Sequence, residues 1–444
     1  MPPILPTPTI LTPHLPPKTF VGIDLVTFTS TANFHGIRDL PSGWHFLYSG
    51  TTETLSLRSG GWFYVGDCGA GNELSSTKAT AITTTREGPE PEIFIWKWDG
   101  ETETLVPLKG ATDAERQEVL RYKANLGAIW QTGGLFRYRS RVTPSMLPGR
   151  QAPTQEEEEE EEETEEGGRR DWAGLTSWFS AGLLSRITGD GEVDADGRER
   201  WMVTSASTAR RDADEIPGLE QANGARRGEA EFSFLPIELK RTWRDGAIGR
   251  ERTEAAQDRS WALGDLIRQY SSADEKEGEA QILGELQFTF LMALTLLNFS
   301  CLQQWKRLLE LILTSRTAIA DREPFIRHVL HLLLLQLQRC DDLEGGLFAI
   351  DADEGGEFLQ FWLVKFAKSV EEVVPTGVGS SVKTELGRLE AWVRDEYEWD
   401  LRPEGILRRG MLRLEDGEEV EMEMEDDEDE ETGEYAPAVV DMTA

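Results

Sequence analysis

The chain has 444 residues, of which 39% are hydrophobic and 29% charged, and its formal net charge is −35. That length suits two or three domains rather than one hydrophobic core, and the modest hydrophobic share leaves part of the chain outside any packed interior. The charge opposes long-range attraction to nucleic acid and to anionic membranes, so neither is an expected partner, whereas a basic protein would be drawn in.

In chain order, residues 1–17, MPPILPTPTILTPHLPP, are rich in Pro and Thr. They lack a charged n-region ahead of an apolar core, so they predict a disordered arm and no secretory signal. Residues 18–150 predict a β-rich domain. FVGIDLVTF, GWHFLYS, GGWFYVGD and EIFIWKWD are short β-branched and aromatic runs between Gly, Pro, Asn and Ser clusters. Within it, Thr112 with Glu115 three residues on opens one amphipathic helix, in the pattern of a capping box. Residues 151–170 carry the unbroken run Glu156–Glu163, whose like charges predict a solvated insertion. Residues 171–187 predict a helical segment around Trp172, Leu175, Trp178, Phe179 and Leu183. Residues 188–230, rich in Gly, Asp, Arg and Ser, predict a disordered linker. Residues 231–401 predict an all-α domain, a bundle or short solenoid, in which 282–315 reads as one long helix. Period counts reveal no internal repeat. Residues 402–444 predict an acidic tail ending in an apolar peptide. The expected fold class is therefore α+β and multidomain.

Candidate chemistry is sparse. Cys68, Cys301 and Cys340 form no CxxC pair, which predicts reduced thiols rather than a disulfide or zinc framework. His328 and His331 lie three apart on a helix among leucines without a third ligand, and His35 and His45 lack a matching carboxylate spacing. All four read as structural. CGAGNEL at 68–74 lacks the third glycine of a dinucleotide loop and the helix after it. No phosphate loop, nucleophile elbow or kinase set is present. The Arg pairs at 169–170, 210–211, 226–227 and 408–409 have acidic neighbours and no interleaved aromatics. The uncharged stretch Leu286–Gln304 approaches spanning length, but its Gln and Asn residues and missing basic anchors mark a buried helix. Catalytic, cofactor and metal sites are not expected.

The strongest functional feature is Tyr435, Ala436, Pro437, Ala438, Val439, Val440 and Asp441 at the end of the acidic run. The valines favour extended backbone, and Pro437 forbids helix and confines pairing to an edge. Such a peptide on a charged tether suits strand addition to a partner's sheet; the alternatives are docking on its own chain or a frayed terminus.

Three blocks together resemble the family of U5 snRNP assembly chaperones. The first is Gly22-Ile23-Asp24 with NFHGIRDLPSGWHFLYS at 33–49, which is similar to that family's opening, including its Pro-x-Gly-x-His-Phe pattern. The second, at 283–313, resembles its most recognisable helix, with Gly284, Glu285, Gln287, Asn298 and Trp305 in place. The third is Trp399-Asp400-Leu401 and the tail YAPAVVDM. The resemblance spans roughly 18–130, 172–185 and 232–441. It implies a VHS-like helical C-terminal domain and a non-enzymatic splicing factor without cofactors, located in cytoplasm and nucleus. Its partner would be the large U5 scaffold protein, whose RNase H-like and Jab/MPN-like domains the 435–441 strand bridges. That binding delays the helicase and snRNA until the particle matures. A monomer within a heteromeric complex is expected. Two readings compete: an acidic chaperone for basic clients such as histones, and an enzyme whose site the motifs do not reveal.

Overall fold

Short β-branched and aromatic runs alternate along the first part of the chain, and they pair into two sheets. The structure is a computed structural model that describes residues 7–52, 57–66, 92–141, 154–212, 231–272, 274–340, 355–374 and 380–402, and the backbone of 408–413 and 419–424. Its strands begin with β1 (Thr9–Leu11), β2 (Phe20–Ile23), β3 (Val26–Thr29), β4 (Gly36–Arg38), β5 (Gly43–Gly50), β6 (Arg58–Val65), β7 (Ile93–Asp99) and β8 (Thr104–Pro107). There follow β9 (Leu135–Arg137), β10 (Glu192–Val193), β11 (Glu199–Thr204), β12 (Thr208–Ala209), β13 (Glu231–Phe232), β14 (Arg408–Arg413) and β15 (Glu419–Met424). The helices are α1 (Asp113–Gln131), α2 (Gln155–Leu175), α3 (Ala181–Thr188), α4 (Arg250–Gln257), α5 (Ser260–Gln269) and α6 (Glu275–Leu296). Then come α7 (Phe299–Leu313), α8 (Ala318–Asp321), α9 (Glu323–Arg339), α10 (Gly355–Val373) and α11 (Ser381–Tyr397). The chain is α+β, with a β-rich N-terminal region and a helical C-terminal region.

One sheet has the order β8-β7-β1-β4-β9, the other β10-β11-β6-β5-β2-β3. A core cluster draws Ile10, Ile37, Phe94 and Trp96 from the first sheet and Val21, Leu47, Phe63 and Val65 from the second. Alternate residues of the first sheet, Leu11, Ile93, Ile95 and Leu135, join Val119 and Leu126 of α1 in a second cluster. That sheet is thus covered on both faces, and its strands are apolar at consecutive positions. In the second sheet Gly22 lets β2 approach the Tyr48 ring, since a Cβ there would lie 2.0 Å from Tyr48 Cζ.

The structure corrects four local expectations. The Pro-rich arm supplies β1, the central strand of the first sheet, parallel to β7 and antiparallel to β4. Pro8 and Pro13 flank Thr9–Leu11 rather than interrupting it, so no ladder donor is lost. The expected linker contributes β11, which pairs with β6 in the register Trp201↔Trp62 and buries Trp201 and Val203. Averaged over forty-odd polar residues, its six-residue run ERWMVT is diluted; the remainder, 213–230, lies outside the described residues. The glutamate run forms the exposed first half of α2, where Thr154 and Glu157 close a capping box and the acids meet the helix N-terminus. The 282–315 stretch is two helices, broken at Leu297 in the left-handed region (φ 57°).

By contacts, the chain divides into one unit of Met1–Pro236, Leu266–Leu309 and His331–Gly355, and a second of Ile237–Asp265, Glu310–Leu330 and Gly356–Ala444. The first holds both sheets and α6, which is buried at every position from Ile282 to Leu296. In the second, α10 and α11 bury Leu359, Leu363, Phe366, Val370, Val382, Leu386, Leu389 and Val393. Among the described residues no helix is long and apolar enough to cross a membrane.

Candidate partner-binding site

The β2–β3 turn places Asp24 in the left-handed region (φ 57°), with its carboxylate turned toward β5. There Oδ1 accepts the Phe46 amide at 2.9 Å, and Oδ2 accepts His45 Nδ1 at 2.8 Å and the Tyr138 hydroxyl at 2.6 Å. His45 Nε2 lies 2.9 Å from the Pro41 carbonyl oxygen. Both partners of the ring can only accept, so both bonds form together when it carries two protons. Burial works against that charge, but the Asp24 carboxylate and the Pro41 carbonyl outweigh it and raise the His45 pKa above 6.5. The Tyr138 hydroxyl is held protonated by burial and by the same carboxylate. Two sequence blocks thus close on one buried knot, Gly-Ile-Asp at 22–24 and Pro-x-Gly-x-His-Phe at 41–46.

Above this knot lies an open cleft of about 640 Å³ in the first unit, walled by Trp44, Tyr64 and Phe179 and edged by Arg169, Arg170 and Ser180. Trp44 packs edge-on to Tyr64 at 5.1 Å, and the Trp172 indole donates to the Trp44 carbonyl at 2.7 Å. His45 lines the cleft, yet with both ring nitrogens engaged it offers no general base. The cleft is a candidate recognition surface, aromatic, with Arg169 and an Arg170–Glu166 pair at its rim.

The second block of the resemblance folds into a polar seam along α6 and the start of α7. Gly284 lies against the α2–α3 corner, where a Cβ would come within 2.6 Å of Leu183 and 2.9 Å of the Trp178 carbonyl oxygen. Glu285, fully buried, accepts the Leu235 amide at 3.0 Å and Gln304 Nε2 at 2.8 Å, and it pairs with Arg186 at 2.8 Å. Burial raises its pKa despite those three partners. Gln287 accepts the Trp178 amide at 2.9 Å and donates to the Gly174 carbonyl at 2.7 Å. Asn298 caps α7 through the Cys301 amide at 2.9 Å, while its Nδ2 donates to the Thr204, Ser205 and Ser207 carbonyls. Trp305 donates to Gln336, which donates to the Leu286 carbonyl. The motif's polar residues are therefore ties that hold 174–186, 204–207 and 235 onto one buried helix.

The peptide Tyr435–Asp441, singled out in the sequence, lies outside the described residues, as does the whole Gly-rich loop at 68–74 with Cys68. Cys301 and Cys340 are both buried, and the Cys340 thiol donates to the Leu337 carbonyl at 3.0 Å. Among the described residues no His, Cys, Asp or Glu group is arranged to hold a metal ion. The Asp24–His45 pairing escaped spacing rules, because its members lie 21 residues apart on separate strands. Its signal lay in the two blocks themselves.

Family models match both halves. One described as the AAR2 N-terminal domain covers residues 6–189, and one described as the AAR2 C-terminal repeat region covers 234–402. The chain is similar to the Protein AAR2 homolog of Homo sapiens, 22% identical over 412 residues, covering 89% of this chain and 90% of the relative. The Mus musculus homolog is 22% identical over 416 residues, at 89% and 90% coverage. That of Caenorhabditis elegans is 20% identical over 399, at 85% and 90%.

Proposed function

The chain belongs to the AAR2 family of U5 snRNP assembly factors, and from that premise in splicing-related assembly we propose that it acts without catalysis, by holding the large U5 scaffold protein. In this reading Tyr435–Asp441 adds as a strand between the scaffold's RNase H-like and Jab/MPN-like domains. It keeps the helicase and snRNA away until the particle matures. The protein works in cytoplasm and nucleus, as a monomer within a heteromeric complex, with a VHS-like helical domain and no cofactor.

The observation that carries the reading is the match of both halves to one family, at residues 6–189 and 234–402. Physical chemistry supports the strand. Each ladder hydrogen bond contributes only about 0.5–1.5 kcal/mol net, so the short segment alone binds weakly and reversibly. A tether to a folded body raises its effective concentration to the order of mM. An assembly factor that must later leave needs that combination.

The test is a pull-down of the scaffold's C-terminal region with the intact chain and with Tyr435–Ala444 deleted. The intact chain should retain both scaffold domains together, and the truncation should lose their joint binding. Equal binding by both forms rejects the strand. Absence of binding rejects the scaffold and favours a basic client of the acidic runs.

A further inference from the structure

The second unit carries an aromatic stripe on its surface. Along α10, Phe358, Phe361, Trp362 and Lys365 recur at spacings of three and four and share one side of the helix. Phe361 is 50% exposed. Its ring lies edge-on to Trp362 at 5.0 Å, and Phe358 stands 6.4 Å from the same indole. The Lys365 ammonium sits 4.5 Å from the Phe361 ring centre and 5.7 Å from that of Trp362. Among the described residues, neither Lys365 nor Lys368 has a carboxylate partner, in a chain with 81 acidic residues against 46 basic. Exposed Phe361 with half-buried Phe358 and Trp362, beside cations without a carboxylate, forms a surface suited to an apolar segment with acidic flanks.

Such a segment follows directly. The helical part ends at Arg402, whose guanidinium is held by Glu371 in the last turn of α10 at 2.7 Å and by Glu390 of α11 at 2.8 Å. After residues 403–407, β14 and β15 pair antiparallel with Arg408↔Met424, Gly410↔Met422 and Leu412↔Val420. Residues directly opposite share one side of a ladder. By that register positions 408, 410, 412, 420, 422 and 424 (Arg, Gly, Leu, Val, Met and Met) fall on one side, which has no carboxylate, while Arg409↔Glu423, Met411↔Glu421 and Arg413↔Glu419 fall on the other. A two-stranded hairpin is at best marginally stable in water and needs a surface against its apolar side.

The lengths agree. At about 1.5 Å per residue, Phe361 lies about 15 Å along α10 from Glu371, and a five-residue connection spans at most about 18 Å. A six-residue strand is about 20 Å long, enough to cover the stripe from Phe358 to Lys368. We propose that the 408–424 hairpin docks on the α10 stripe of its own chain, with the side bearing Leu412, Val420, Met422 and Met424 against Phe358, Phe361 and Trp362. Methionine adapts to aromatic surfaces. The sequence between and after the strands is acidic, with Glu415, Asp416, Glu418 and Glu425–Asp427, a charge complementary to that of Lys365 and Lys368. The docking stands independently of the role of the terminal peptide.

Amide hydrogen exchange on the full-length chain tests it. In the wild type, amides of 408–424 should exchange at least ten-fold more slowly than in an unstructured chain. Phe361→Ser should remove that protection, and so should the pair Val420→Lys and Met422→Lys, which cannot disturb the helices and should leave α10 and α11 protected. Absence of protection in the wild type, or protection unchanged in the tail variant, overturns the docking. Protection that grows with protein concentration also overturns it, by assigning the stripe to a second copy.

Discussion

Asp24 gathers three donors onto one carboxylate, from Phe46, His45 and Tyr138, in a site closed to water. Removing it strands an imidazolium and a phenol in the interior. Asp24→Ala should therefore cost about 3–5 kcal/mol, the usual result of breaking a buried charged pair from one side, measured by urea unfolding. The same knot sets a pH dependence. The folded-state pKa of His45 is raised above 6.5, so its contribution is complete below 6.5 and is lost as pH rises through the folded value. Unfolding free energy should fall across that window in the wild type, and the slope should flatten in His45→Gln. Glu285, also raised by burial, acts in the same direction: its contribution is complete below 4.5, and stability declines as pH climbs through its folded value. Titrating stability from pH 4 to 9 in the wild type, His45→Gln and Glu285→Gln assigns each part of the slope to its group. The pairing partners themselves were not legible from spacing, because strand order, rather than distance along the chain, brings residue 24 to residue 45.

At the scale of elements, α6 is the axis of the first unit, and its polar residues tie neighbouring segments to it. Asn298 both caps α7 and satisfies three carbonyls of the 204–207 turn. Asn298→Ala should cost about 2–4 kcal/mol, combining a lost cap with buried acceptors left without donors, visible as a lowered Tm. Gly284→Ala should cost about 1–3 kcal/mol through overpacking, since the backbone carbonyl of Trp178 cannot move aside as a side-chain end would. Trp201→Ala should cost about 3–5 kcal/mol and loosen β11 from β6, read as faster exchange of the β6 amides. Strands 20–23, 43–50, 58–65 and 93–99 were visible in the sequence as aromatic and β-branched runs. Strands β1 and β11 were not: one is three residues between prolines, the other six within a polar stretch. Both are fixed by partners rather than by propensity.

At the scale of the whole molecule, the proposed hairpin docking and the proposed terminal strand are linked through one tether. A docked 408–424 hairpin would shorten the tether of the terminal peptide from about thirty residues to about ten, raising its effective concentration roughly six-fold by the three-halves power of length. What the sequence by itself determined is the class of the protein: a strongly acidic α+β chain carrying the blocks that mark its family. Those properties reside in composition and in contiguous runs, which need no third dimension to be read. Only the tertiary structure decided what the blocks do. It showed Asp24 and His45 as one buried ion pair, turned Glu285, Gln287 and Asn298 from a helical pattern into ties for distant backbone, and drew β1 and β11 from stretches that composition assigns to loops. The reason is energetic. A buried polar group must find its partner wherever the fold provides one, and a short strand gains its stability from the ladder on either side, so neither is encoded in the residues next to it.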